Sequence, residues 1–124
     1  MASQTTALTI SAVIGTGYAA NVLLMTDTYL KDQGQKLSPE SRYMARGIAG
    51  GVIGLTVISA LARSGGAELQ NAACMANFGS FISWGIAAAH KNLVEGTTHK
   101  GPKVDMAICG TMLALFVSAV ALAK

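Results

Sequence analysis

The stretch MARGIAGGVIGLTVISALA, residues 44–62, determines the fold class of this chain. Its one charged residue, Arg46, lies close to its start, and the other residues are apolar or small. A bilayer core about 30 Å thick takes roughly 20 such residues as a helix. The stretch shows no strand-like alternation, and a helix satisfies its own backbone hydrogen bonds in lipid. It therefore predicts a membrane-spanning helix.

Three further apolar stretches predict spans at 5–25, 69–89 and 104–123. Together the four stretches take up most of the 124 residues and leave no room for a separate soluble domain. The composition agrees, because 12% of the residues are charged and the mean hydropathy is +0.47, whereas soluble domains carry about 25% charge. We expect one transmembrane domain over 1–124, an all-α, integral membrane antiparallel four-helix bundle.

Several residues predict where the helices begin and end. Ser38-Pro39 is typical of an N-cap followed by proline in the first turn, so the second helix is expected to begin near Pro39. Gly65-Gly66 separates the second and third spans. Gly96 is expected to end the third helix in a left-handed conformation, and Gly101-Pro102 is expected to precede the fourth.

Basic residues predict the orientation, because Lys and Arg accumulate on the cytoplasmic side of membrane proteins. Seven of them lie in or beside the first and third connections, against two on the opposite side. The seven are Lys31, Lys36, Arg42, Arg46, Lys91, Lys100 and Lys103, and the two are Arg63 and Lys124. We therefore expect both termini on the non-cytoplasmic side of an organelle membrane or a bacterial inner membrane.

The second span carries a strip of small residues, which in membranes allows helix backbones to approach closely. Gly47, Gly50, Gly51 and Gly54 form two overlapping pairs with a spacing of four. The strip predicts a helix-packing face. Its partner is either another helix of the same bundle or a second membrane protein.

Asn77 and His90 are the candidate cofactor-binding residues, since their oxygen and nitrogen atoms are able to hold one pigment magnesium. The alternative for Asn77, an amide in the middle of a span, is a hydrogen bond between helices. The alternative for His90 is a basic surface loop. In that loop Lys91, Lys100 and Lys103 are expected to contact anionic lipid head groups.

The sequence contains few residues suited to transport, redox chemistry or catalysis. No charged residue lies near the middle of a predicted span, which argues against ion-coupled transport. Cys74 and Cys109 are expected to differ in depth by about 15 Å and to form no disulfide. No nucleotide-binding, zinc-protease or hydrolase motif is present, and the net charge of +3 is spread too thinly for a nucleic-acid partner. We expect no enzyme activity and no metal site.

The order of features resembles the small four-helix DoxX-like membrane proteins. The residues that carry the resemblance are Arg46-Gly47-Ile48-Ala49-Gly50-Gly51 at the start of the second span and His90 at the end of the third. The resemblance implies a membrane bundle that is often found beside redox partners. It assigns no functional residue.

These observations favour a non-catalytic accessory or structural subunit of a larger membrane protein complex, such as one of an energy-converting membrane. Its partners would be membrane lipids and other membrane protein subunits. One alternative is a small bundle that binds a lipid, a pigment or another small molecule between its helices. A second alternative, implied by the resemblance, is a redox-associated DoxX-like protein.

Overall fold

A computed structural model describes residues 3–121 as a bundle of helices, without strands in that range. Five α-helices follow one another along the chain, and four of them are long and apolar enough to cross a membrane. The helices are α1 (Gln4–Leu24), α2 (Thr26–Asp32), α3 (Pro39–Ala62), α4 (Ala67–Ala89) and α5 (Lys100–Ala121). A π-helical turn, His90–Val94, extends α4. The all-α prediction is confirmed.

The four long helices agree with the four predicted spans, with differences at their ends. The prediction that the second helix begins near Pro39 is confirmed. The Ser38 side chain accepts a hydrogen bond from the backbone N–H of Ser41, and the Ser41 side chain accepts one from the backbone N–H of Ser38. The expectation that Gly101-Pro102 precedes the fourth helix is wrong. Both residues are buried in the first turn of α5, which begins at Lys100. The predicted end of the fourth span at 123 lies outside the described residues.

Glycines with positive φ shape the two connections that lie at one end of the bundle. Gly96, at φ +67°, follows the π-helical turn and confirms the predicted left-handed end of the third span. Gly34, at φ +73°, follows α2 and packs against the ring of His99 from the other connection. Any side chain at Gly34 would be strained in this conformation and would overlap the His99 ring.

Helix α2 has no counterpart in the predicted organisation, in which 26–43 is a connection. Its seven residues place Tyr29 and Leu30 in a buried cluster with residues of α1 and α3. Tyr29 is therefore turned into the bundle, with 8% of its surface exposed. At the outer side of α2, Asp27 accepts two hydrogen bonds from Arg42 of α3.

Contacts between the long helices run in consistent directions. Helices α1 and α4 run in the same direction, because the residue numbers of their contacts rise together. These contacts are Gln4 with Asn71, Ser11 with Asn77 and Tyr18 with Trp84. Helices α4 and α5 run in opposite directions, because a later residue of one contacts an earlier residue of the other. Phe81 stacks on Phe116, whereas Asn92, beyond the end of α4, donates a hydrogen bond to the Pro102 carbonyl. Consecutive spans α1 and α3 also run in opposite senses, since Thr5 reaches Arg63 and Gly15 reaches Thr56.

The glycine strip of α3 does not pack inside the bundle, so that interpretation is wrong. A Cβ placed at any of its four members would meet no heavy atom within 4 Å among the described residues. The close approach of α3 lies on another face, where Ala45 and Ala49 are buried and Thr56 contacts Gly15 of α1. The strip does not determine the contact, because small residues permit the close approach of two helices without requiring it. Packing of Gly47, Gly50, Gly51 and Gly54 against a partner protein stays a prediction.

Candidate functional site: a cavity beside a buried tyrosine–aspartate chain

A cavity of about 390 Å³ lies between α1, α3 and α4. Its wall is largely apolar and aromatic, with a few hydroxyl groups, which is the usual character of sites that hold small molecules. On α1 it runs from Ser11 to Tyr18 and on α3 from Ile48 to Thr56, so it extends about 10–12 Å along the helices. The lining residues are Ser11, Ile14, Gly15, Tyr18, Tyr29, Ile48, Gly51, Val52, Leu55, Thr56, Ser80, Phe81 and Trp84.

Aromatic side chains are concentrated at the end of the cavity that is nearest α2. The ring of Tyr18 meets the ring of Trp84 edge-on at a centroid distance of 4.9 Å and the ring of Tyr29 at 5.8 Å. Trp84 also stacks on Phe81 at 6.0 Å. Four of the seven aromatic residues of the chain thus line one cavity. Such pairs are worth about 0.5–1.5 kcal/mol each beyond the area they bury, so they hold this wall in place.

A buried carboxylate lies directly behind these rings. Asp105, in the second turn of α5, is 5% exposed. Its Oδ1 accepts a hydrogen bond from the Tyr18 hydroxyl at 3.1 Å, and its Oδ2 accepts one from the Gln33 amide at 2.9 Å. Each oxygen therefore has a neighbouring donor group, as an ionised carboxylate requires. Among residues 3–121 no lysine, arginine or histidine forms an ion pair with it.

The hydroxyl groups of the two tyrosines form a directed chain. Their oxygens lie 3.1 Å apart, and each hydroxyl has one proton. An ionised carboxylate only accepts, so with Asp105 ionised Tyr18 donates to Asp105 and Tyr29 donates to Tyr18. Burial raises the pKa of Tyr29 above its usual value, and Tyr29 is therefore protonated at neutral pH and able to donate. Both protons of the chain are directed toward Asp105.

This cluster was not predicted from the sequence. Asp105 lies near the start of the predicted span 104–123, where a charged side chain usually reaches water. The available signal was that Asp105 is the one acidic residue within the four predicted spans. An acidic residue there needs donors from its neighbours. The donors come from Tyr18 and Gln33, which are 87 and 72 residues away along the chain, so no local spacing indicates them.

Asn77 is the centre of a second polar group, deeper in the bundle. It is fully buried, and its Oδ1 accepts a hydrogen bond from Ser11 of α1 at 2.5 Å. Its Nδ2 donates to Ser59 of α3 at 2.9 Å and to the Ala73 carbonyl of its own helix at 2.8 Å. The interhelical hydrogen bond that was one interpretation of Asn77 is confirmed. These three bonds use both amide protons and one of the two lone pairs of the Oδ1 that was the candidate pigment ligand.

His90 lies apart from Asn77. It begins the π-helical turn, and its Nδ1 lies 3.1 Å from a carboxylate oxygen of Glu95 on the exposed surface. Thirteen residues of helix separate it from Asn77, a rise of about 20 Å. The structure therefore does not bring the two candidate cofactor-binding residues into one site. In residues 3–121 there is also no group of three side chains suited to a metal ion.

The three lysines assigned to lipid head groups lie at the end of the bundle that carries α2. Lys91 is in the π-helical turn, and Lys100 and Lys103 are in the first turn of α5. Lys100 lies 3.6 Å from a carboxylate oxygen of Asp32 and is 74% exposed, and Lys103 donates to the Thr97 carbonyl. Their side chains are thus partly engaged within the protein. Contact with anionic lipids stays a prediction.

Cys74 and Cys109 are both buried free thiols, so the prediction that they form no disulfide is confirmed. A Cβ placed at Gly85 would lie 3.2 Å from the Cβ of Cys109. Gly85 is eleven residues beyond Cys74 on α4, a rise of about 16 Å. This separation is far more than a disulfide spans.

Comparison of the chain with protein-family models, with curated proteins and with solved structures finds no match.

Proposed function

We propose that this protein is a non-catalytic membrane bundle that holds a small, mostly apolar molecule, such as a lipid chain, between α1, α3 and α4. The observation that carries the proposal is the cavity itself. Its volume of about 390 Å³ lies within the range of small-molecule sites, roughly 300–1,000 Å³. Its wall combines aliphatic and aromatic side chains with a few hydroxyl groups, and the two tyrosine hydroxyls lie at the end nearest α2. A molecule with an apolar body and one polar group matches this distribution.

The glycines of α3 provide a matched pair of variants to test the proposal. Gly51 lines the cavity and Gly50 does not, and a Cβ at either position meets nothing within 4 Å. Leucine at either position is therefore expected to leave the fold intact, but only Gly51→Leu fills the cavity. Native mass spectrometry of the gently solubilised protein should show a bound small molecule in the wild type and in Gly50→Leu, and its loss in Gly51→Leu. Equal occupancy in all three proteins, or none in the wild type, would contradict the proposal.

A second candidate is the accessory or structural subunit of a larger membrane complex. It is supported by Gly47, Gly50 and Gly54, which line no part of the cavity and where an added Cβ meets nothing within 4 Å. It is also supported by α3 being the least covered span, with 17% of its most apolar stretch buried against 28% in each of the other three. Gly54→Leu should release the protein from its complex while leaving the isolated bundle folded. Gly17→Leu on α1, also in open space, is the control. Unchanged co-purification of Gly54→Leu would remove the support for this candidate.

The redox-associated alternative has less support. The two thiols are buried and lie far apart, and no described cluster of metal-ligating side chains offers an electron carrier. The resemblance to DoxX-like proteins remains the ground for this alternative.

A further inference from the structure

The polar groups beside the cavity, and not its volume alone, determine which class of ligand it favours. We propose, as an extension of the ligand-binding function above, that its ligand is a lipophilic amine, bound as the ammonium with its charged group at the Tyr18–Tyr29 end and its apolar body along α1 and α3. The proposal depends on the direction of the hydrogen bonds, on the buried charge and on the aromatic wall.

The direction of the hydrogen bonds excludes an acceptor at this end of the cavity. With Asp105 ionised, the single proton of Tyr18 is donated to the carboxylate and the contact between the two hydroxyls is a hydrogen bond from Tyr29, so neither hydroxyl has a proton left for a ligand. Their oxygen atoms keep lone pairs, and both residues line the cavity. A polar ligand atom that meets them must therefore donate. An ammonium group donates through each of its N–H bonds and accepts none.

The charge of Asp105 favours a cation over a neutral donor. The carboxylate is 5% exposed, and no basic side chain among the described residues forms an ion pair with it. The Tyr18 hydroxyl separates the carboxylate from the cavity. Because the surroundings have a low dielectric constant, the attraction of the carboxylate for a cation in the cavity is only weakly screened. The nearby Lys100 competes little, because it is 74% exposed and lies beside Asp32.

The aromatic wall adds to this attraction. Tyr18, Tyr29, Phe81 and Trp84 all line the same part of the cavity. Aromatic rings attract organic cations through their negative faces, and clusters of rings are a general means of binding ammonium groups. The remainder of the wall, which includes Ile14, Val52 and Leu55, is suited to an alkyl body.

The position of the cluster fits an amphiphile that lies along the bilayer normal. Asp105 is five residues after the start of α5, and Tyr18 is six residues before the end of α1. Both are therefore within about 10 Å of the helix ends, close to the polar boundary of the bilayer. The shared chemistry is an alkyl ammonium group, and its source is either an ethanolamine-headed lipid or a free lipophilic amine.

Trp84, the single tryptophan of the chain, provides a direct signal from the cavity. Its fluorescence would be titrated with decylamine, decanol and decanoic acid, which share a chain length and differ in the polar group, in neutral maltoside micelles near neutral pH. We expect decylamine to bind about tenfold more tightly than decanol, and decanoic acid to bind weakest. In Asp105→Asn the affinity for decylamine should be within about twofold of the affinity for decanol, since this substitution removes the charge and keeps the size of the side chain.

A second pair of variants keeps the test decisive if Asp105→Asn fails to fold. Tyr29→Phe removes a hydroxyl oxygen at the cavity wall and should lower the affinity for decylamine several-fold. Tyr43→Phe is the control, because it alters a tyrosine that is 79% exposed and should leave the affinity unchanged. Competition by added phosphatidylethanolamine would identify a lipid source, and competition by free amines alone would identify a soluble one. Either result supports an ammonium ligand.

The outcomes separate this inference from the function on which it rests. Equal affinity for the three probes, with loss of all binding in Gly51→Leu, would keep the cavity as a binding site and overturn the ammonium preference. Tighter binding of decanoic acid would overturn it as well. The absence of any saturable fluorescence change in the wild type would contradict the binding function itself.

Discussion

Asn77→Leu tests how much the central hydrogen bonds contribute to the stability of the bundle. Leucine has a similar size and removes the amide, so the bonds to Ser11 and Ser59 are both lost. Ser59 still donates to the Leu55 carbonyl of its own helix, which limits the penalty. Interhelical hydrogen bonds in membrane proteins average about 0.6 kcal/mol, with a maximum near 1.7. Two such bonds give an expected loss of about 1.2 kcal/mol and an upper bound of about 3.4 kcal/mol.

The loss would be measured as the free energy of unfolding in bicelles by steric trapping. Asn71→Leu is the matched control, because Asn71 bonds Gln4 at the exposed end of the same helix and its loss should change little. A double-mutant cycle of Asn77→Leu with Ser11→Ala should give a coupling energy of about 0.6 kcal/mol. A coupling energy of zero, together with unchanged stability of Asn77→Leu, would refute the view that this amide joins the helices.

Three further predictions concern packing and charge. Gly15→Ala should destabilise the bundle by about 1–3 kcal/mol in the same unfolding assay, because the added Cβ overlaps the Thr56 hydroxyl where α1 meets α3. Gly54→Ala should leave the isolated protein unchanged or stabilise it by up to about 1 kcal/mol, since the new Cβ meets nothing; a loss as large as that of Gly15→Ala would show that the strip is packed. The hydrogen bond from Arg42 lowers the pKa of Asp27. The stabilisation from this pair is thus complete above the usual Asp pKa of about 3.9 and is lost as the pH falls through the lowered value. Melting curves of Asp27→Asn against the wild type should therefore differ at neutral pH and converge in acid, and a constant difference would contradict the assignment.

The spans were predictable from sequence because they depend on one averaged property, the length of an apolar run. The start of α3 was predictable too, since Ser38 and Pro39 carry a local signal for a helix start. Helix α2 was not, because seven residues without apolar periodicity are stable as a helix only through contacts of Tyr29 and Leu30 with distant residues.

The candidate site was harder to predict than the spans. Asn77 was identified because an amide in a span needs a partner. The cavity and the chain of hydroxyl groups depend on how all five helices meet, and the pattern of one helix does not contain that information. The glycine strip shows the opposite error, since a local motif was present and the contact within the bundle was not.

The contacts between α1 and α4 also bear on how the chain assembles in the bilayer. Gln4, Ser11 and Tyr18 are spaced seven residues apart, and their partners Asn71, Asn77 and Trp84 follow at nearly the same interval. This period of seven keeps all three contacts along one seam of two helices that run in the same direction. Sliding one helix past the other by a single turn would break all three together. The three contacts therefore fix a single register between the helical hairpins α1–α3 and α4–α5.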